Sequence, residues 1–171
     1  VSLLWVTAPV VFHSSPPAVA ADAPTMHVVF ANAYYQNPEA EDAATDLMAR
    51  DGDLLALVEF TPRQERALES AGALDDYPYR VGEPDWDRDG IVLYSRYPFV
   101  QAEVTIIGTV LGIDAVIDVD GIDVRVLVVH PPTAVHQGDV ADWQQDLRTL
   151  HGILRDTTLP TLVIGDFNTS R

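Results

Sequence analysis

The chain contains no cysteine and no lysine. The first absence removes disulfides, thiolate metal sites and cysteine nucleophiles from consideration, and leaves the compartment open. The second leaves ten basic residues, all Arg, against 26 acidic ones, for a formal net charge of −16. A protein that binds bulk duplex nucleic acid needs a basic footprint to displace phosphate counterions. That footprint is missing, and a polyanion would be repelled unless bound cations offset the field. The acidity therefore disfavours nucleic acid and favours a small partner or one with an uncharged body.

Long apolar runs are also scarce. The longest stretch, Val1 to Phe12, is interrupted by Pro9, and a membrane-spanning helix needs roughly 20 apolar residues. Behind it, His13 to Pro24 is rich in Pro, Ala and Ser. Ala18-Val19-Ala20 has the small-x-small form of a signal-peptidase site, although no basic region precedes the apolar run. Three readings stay open: a signal peptide without its start, the tail of a transmembrane helix, or an apolar arm packed on the domain. The first two place the globular part outside the cytoplasmic membrane, anchored or secreted, and that is the expectation. The expected boundary separates an N-terminal segment and linker, 1–25, from a domain over 26–171.

What is present reads as one globular domain, with 171 residues and 47% hydrophobic content. Met26 to Ala33 reads as a buried strand. Asn37-Pro38 predicts a helix start, with Asn as cap and Pro in the first turn, and a helix to about Arg50. Asp53 to Phe60 is a second buried strand. Thr61-Pro62-Arg63-Gln64 has the form of a capping box and opens a helix to about Ala73. A polar segment with Pro78, Gly82 and Pro84 leads to a strand from Gly90 to Ser95. Val100 to Val110 and Gly112 to Val119 are strand-like. Asp120-Gly121 then signals a tight hairpin into Ile122–Val129, whose two faces are both mostly apolar, as in a central strand. A helix from about Asp139 to Asp156 and a strand from Pro160 to Ile164 complete the pattern. Its order implies an α/β fold, with mixed sheets in layers and helices outside.

Four of these strands deliver a polar residue at their ends: Asn32, Glu59, His130, and Asp166 with Asn168 two residues on. Ligands gather at strand ends, where a buried framework fixes polar side chains near one crevice. Amide, carboxylates and imidazole without thiolate suit a hard cation such as Mg²⁺ or Mn²⁺. Such an ion polarises a phosphoryl oxygen and acidifies an attacking water. Each residue also has a plainer reading. Asn32 can make a turn, Glu59 can cap a helix or form an ion pair, and His130 can simply end a strand. Asp166-Phe167-Asn168 can be an Asx turn. The acidic group Asp85, Asp87 and Asp89 around Trp86 reads as a solvated loop.

The blocks Phe30-Ala31-Asn32, Leu55 to Glu59, Ile91 to Pro98, Val128-Val129-His130 and Gly165-Asp166-Phe167-Asn168 carry a family likeness. In that order they resemble the signature blocks of the endonuclease/exonuclease/phosphatase superfamily, covering Met26 to Asn168. His-Pro-Pro and the apolar N-terminus resemble a bacterial branch in which membrane segments precede the catalytic domain. The resemblance implies a four-layered α/β sandwich, two mixed β-sheets flanked by helices. It implies a divalent-metal-dependent phosphoesterase, most simply a phosphodiesterase, acting on a small phosphoester or phospholipid. By the same resemblance Glu59 ligates Mg²⁺ or Mn²⁺ with Asn32 beside it, and His130 donates to a phosphoryl oxygen. Asp166 orients or activates water, Asn168 positions Asp166 and the phosphate, and Arg96 and Tyr97 serve packing. The superfamily's closing Ser-Asp-His-type block has no match in Thr169-Ser170-Arg171 or in His136 and His151. The expectation is therefore a fragment or truncated product lacking the last part of its second sheet. An inactive domain that binds a ligand or partner in the same crevice is the alternative.

Overall fold

The computed structural model describes residues 25–133 and 137–169. The expectations for Val1 to Pro24, for His136 and for the last two residues lie outside the described residues. Hydrophobic patterning becomes two sheets. Strands β1 (Val28–Asn32), β2 (Leu54–Val58), β3 (Tyr79–Glu83) and β4 (Ile91–Ser95) form the first, in the order β1-β2-β4-β3. Strands β5 (Phe99–Ile107), β6 (Val110–Val119), β7 (Ile122–Val129) and β8 (Thr161–Gly165) form the second, in chain order. Both sheets are mixed: β1–β2 and β7–β8 are parallel, and the other pairs are antiparallel.

Strand periodicity assigns the layers. Leu54, Ala56 and Val58 of β2 and Leu93 of β4 face Ile113, Ala115 and Val126 of the second sheet, which makes the central core. The alternate residues Leu55, Leu57, Val92 and Tyr94 face outward, under helices α1 (Ala40–Met48) and α2 (Pro62–Ser70). On the far side Ile107, Leu127 and Val129 pack under α3 (Gln137–Asp156) through Leu150 and Ile153. The result is helix, sheet, sheet, helix, the expected four-layered sandwich. No helix among the described residues is long and apolar enough to cross a membrane.

Local chemistry explains most element ends. The Asp120-Gly121 hairpin has both residues at positive φ, 54° and 87°, as a tight two-residue turn requires. Arg125, the polar intruder in β7, is neutralised by Asp114 on the adjoining strand, with Nε to Oδ1 at 2.9 Å. The Thr61 capping box is complete, with Thr61 N–H donating to Gln64 Oε1 at 2.7 Å and Gln64 N–H to Thr61 Oγ1. Loss of such a cap costs about 1 kcal/mol. Thr61→Ala is therefore expected to lower the melting midpoint by roughly 2–4 °C. Thermal denaturation followed by circular dichroism checks this, and an unchanged midpoint would remove the cap from the account.

Two expectations are corrected. The first helix does not start at Asn37-Pro38 and ends at Met48 rather than Arg50; it begins at Ala40 after Glu39, which makes no side-chain cap bond. Asn37 Oδ1 instead accepts the Glu39 N–H at 3.0 Å, so the side chain closes an Asx turn ahead of the helix. The polar segment around Gly82 also contains β3, an edge strand whose residues are half-buried or exposed. Its place is set by β4, against which Gly82, at φ +89°, leaves no room for a Cβ: Ile91 O would lie at 2.2 Å.

Candidate active site

Residues from both sheets meet at one end of the sandwich. Asn32 closes β1 and Glu59 follows β2, so both come from the first sheet; His130 follows β7 and Asp166 follows β8, from the second. Asn32 Nδ2 donates to Glu59 Oε1 at 2.9 Å and to Asp166 Oδ2 at 3.1 Å. One amide thus bridges carboxylates that lie 27 and 134 residues from it in the chain. His130 Nε2 stands 3.6 Å from Glu59 Oε1, and both side chains are about 15% exposed (15% and 16%). The structure therefore brings together all four strand-end residues.

The neighbouring backbone fixes this geometry. Asn32 Oδ1 accepts the Tyr34 N–H at 3.0 Å, which turns its amide nitrogen towards the carboxylates. Gln64, the buried partner in the capping box, donates Nε2 to Ala33 O at 2.7 Å and Tyr34 O at 3.0 Å. The start of α2 thereby secures the chain leaving β1. Asp166 Oδ1 accepts the Asn168 N–H at 3.0 Å, so both oxygens of Asp166 carry a donor. Asn168 meets Asp166 through its backbone N–H rather than its side chain. Its side-chain nitrogen donates to Pro131 O at 2.9 Å, tying the exit of β8 to the residue after His130. Trp143 of α3 adds an indole N–H bond to Phe167 O at 2.8 Å.

Among the described residues five non-glycine positions have positive φ, and Tyr34 (52°), Glu59 (50°) and Asn168 (47°) are at this site. A left-handed backbone costs a non-glycine residue about 1–2 kcal/mol. Such strain persists where the surroundings over-determine it, and it clusters at functional sites. A cavity of about 490 Å³ runs beside the cluster, with Asn32, Asp166 and Asn168 on its polar side and Ala40, Leu47 and Phe167 among its apolar lining.

No three His, Cys, Asp or Glu side chains converge to enclose a cation among the described residues. The donor set still fits a hard divalent ion of open coordination. Mg²⁺ keeps several waters and is commonly held by one or two carboxylates plus substrate oxygens. Glu59 Oε1 is used by Asn32 and no hydrogen bond reaches Oε2 among the described residues, so an oxygen of the right kind is left available. Two sequence readings hold as structure: Asp85, Asp87 and Asp89 are exposed, and His151 sits exposed on α3, apart from the cluster. Arg96 is structural, paired with Asp51 at 2.8 Å and lying over the Tyr77 ring.

Sequence reasoning missed one neighbour. Arg88, within the loop between β3 and β4, lines a small notch together with His130. The antiparallel pairing of Val58 with Ile91 is what brings this loop to the site. Nothing local in the sequence announces that pairing.

A family model described as Endonuclease/Exonuclease/phosphatase family matches residues 29–170. No curated protein matches at a significant level. Among solved structures, sphingomyelinase C from Streptomyces griseocarneus is 22% identical with a TM-score of 0.67, over 86% of this chain and 65% of that one. D. rerio TDP2, complexed with a single-strand DNA product, is 16% identical with a TM-score of 0.69, over 85% and 62%. A Staphylococcus aureus beta toxin mutant with bound magnesium ions is 14% identical with a TM-score of 0.62, over 84% and 65%. At these identities the likeness is one of fold, and the chain spans 62–65% of the length of these three structures.

Proposed function

Since the chain belongs to the endonuclease/exonuclease/phosphatase family, whose members hydrolyse phosphodiester bonds, we propose that it hydrolyses a phosphoester, most simply a phosphodiester, with Mg²⁺ or Mn²⁺. The observation that carries this reading is the Asn32 bridge between Glu59 and Asp166 with His130 at 3.6 Å from Glu59. It gathers a cation ligand, a water-orienting carboxylate and a donor to phosphoryl oxygen within one cluster.

In this reading Glu59 Oε2 would hold the cation, and the ion would supply charge to the phosphoryl oxygen and acidify water. Asn32 beside it fixes the carboxylates through its amide N–H groups rather than ligating through its oxygen, which accepts from Tyr34. Asp166 uses the lone pairs not taken by Asn32 and Asn168 to accept a proton from the attacking water. His130, beside Glu59, donates to a non-bridging oxygen as charge develops there. Asn168 has one amide proton committed to Pro131 O, and the second is left for the phosphate. The net charge of −16 supports a small phosphoester or a phospholipid over a long polyanion. The apolar run Val1 to Phe12 and the small-x-small Ala18-Val19-Ala20 ahead of a proposed domain over 26–171 support placement outside the cytoplasmic membrane, secreted or anchored.

The test is hydrolysis of bis-p-nitrophenyl phosphate with Mn²⁺ or Mg²⁺ against EDTA. Turnover that appears with metal and vanishes with chelator is the expected outcome. A second reading is a binding module without turnover, since among the described residues no third His, Cys, Asp or Glu converges on Glu59 and Asp166. It predicts metal-dependent phosphate binding with no hydrolysis of any phosphoester tried. Turnover that persists in EDTA would contradict both.

A further inference from the structure

Resting on that phosphoesterase reading, we propose that Arg88 is a substrate-binding residue that holds the anionic phosphoryl group beside His130. The loop between β3 and β4 is clamped to the site by its ends. Phe60, next to Glu59, donates its N–H to Gly90 O at 3.1 Å, and its own carbonyl accepts the Asp85 N–H at 2.9 Å. Gly90 fits only because it lacks a Cβ, which would stand 1.9 Å from Phe60 O. Inside the loop, Asp85 Oδ1 accepts the Asp87 N–H at 3.0 Å and Asp87 Oδ1 accepts the Arg88 N–H at 2.8 Å. These bonds shape the turn without engaging the Arg88 guanidinium.

The loop then borders a notch of about 30 Å³, whose walls include Val58, Arg88, Asp89, Gly90, Leu111 and His130. That is the space of a single water or one phosphoryl oxygen. Most of the other described arginines have occupations. Arg63, Arg80, Arg96, Arg125 and Arg155 each pair with a carboxylate, and Arg66 lies over the Trp86 ring at 5.8 Å. Among the described residues only Arg88 and Arg148 have a guanidinium with no ion pair, hydrogen bond or ring contact. In a chain of 26 acidic residues a guanidinium left uncommitted at the site edge is unusual. An anionic substrate approaching Glu59, Asp166 and Asp89 meets a repulsive field, which Arg88 offsets. Its planar fork suits the oxygens of a phosphoryl group.

Two arms test this on the full chain, with Arg88→Ala, Arg88→Lys and, as a control for net charge, Arg148→Ala. In the first, Mn²⁺-dependent hydrolysis of bis-p-nitrophenyl phosphate is measured. Arg88→Ala is expected to raise KM about tenfold or more while kcat stays within about threefold. Lys should recover part of the loss, and Arg148→Ala should match the parent protein. Equal KM values for the two alanine variants would overturn the proposal. The second arm follows inorganic phosphate binding by ³¹P NMR and requires no turnover. Even if no hydrolysis is seen and the phosphoesterase reading falls, a phosphate Kd weakened about tenfold by Arg88→Ala alone supports the Arg88 assignment. Equal Kd values, or no phosphate binding by the parent protein, overturn it.

Discussion

Replacing Glu59 by Gln is expected to lower kcat/KM for a diester substrate by about 10³-fold or more, roughly 4 kcal/mol of lost transition-state stabilisation. The expectation follows from where Glu59 sits. It leaves β2, whose five residues are at most 3% exposed, in a left-handed conformation at φ +50°. The framework beneath cannot shift to bring in another ligand. Gln keeps the shape and can still accept the Asn32 N–H through its own carbonyl oxygen, so the fold should survive. What it removes is the charge on the oxygen left open for a cation. Two measurements separate the causes: metal-dependent turnover, and the rise in melting midpoint on adding Mn²⁺. Glu59→Gln should lose most of both while its midpoint without metal stays close to that of the parent protein. A variant that keeps a tenth of the activity would show that Glu59 is not the principal ligand.

Gly165→Ala should give a large loss of stability from a single methyl group. Gly165 pairs with Val129 across the parallel β7–β8 ladder. A Cβ there would lie 1.9 Å from Val129 O, a backbone atom that cannot rotate away. The end of β8 must then lift off β7, at the point from which His130 and Asp166 project. A cost of about 3 kcal/mol or more is expected, in the range reserved for backbone conflicts and core overpacking. The melting midpoint would fall by roughly 6–12 °C, and activity would fall with it because Asp166 leaves the Asn32 bridge. Gly152→Ala is the matched control: a Cβ at that position in α3 meets nothing within 4 Å. Relief of the helical glycine should raise stability by about 0.5–1 kcal/mol. Equal midpoints for the two variants would contradict the steric account.

The elements legible from sequence share a property: their signal is local. Thr61 and Gln64 are three residues apart and Asp120 adjoins Gly121, so cap and hairpin can be read from neighbouring letters. Buried strands announce themselves because both faces are apolar, and the polar residue that ends each one stands out by contrast. That contrast made Asn32, Glu59, His130 and Asp166 visible. What they do for one another was not visible, since Asn32 meets Asp166 across 134 residues. Tyr79–Glu83 was missed as a strand because an edge position demands little apolar surface, and β4 supplies its order. Asn37 misled because an Asn side chain closes an Asx turn as readily as it caps a helix. Arg88 belongs to the same class as β3: its nearness to His130 is a product of strand pairing.

The apolar face between the two sheets holds them together without fixing their alignment, because contacts among Leu, Ile, Val and Ala have little directional preference. At the site end, among the described residues, a hydrogen bond of Asn32 with Asp166 joins the layers, and His130 stands 3.6 Å from Glu59. Whatever binds across Glu59 and Asp166 therefore also works against shear of the sandwich. Occupancy and alignment become one thermodynamic variable. A substitution deep between the layers, such as at Ile113, would be felt first as weakened ligand affinity, with the secondary structure still intact.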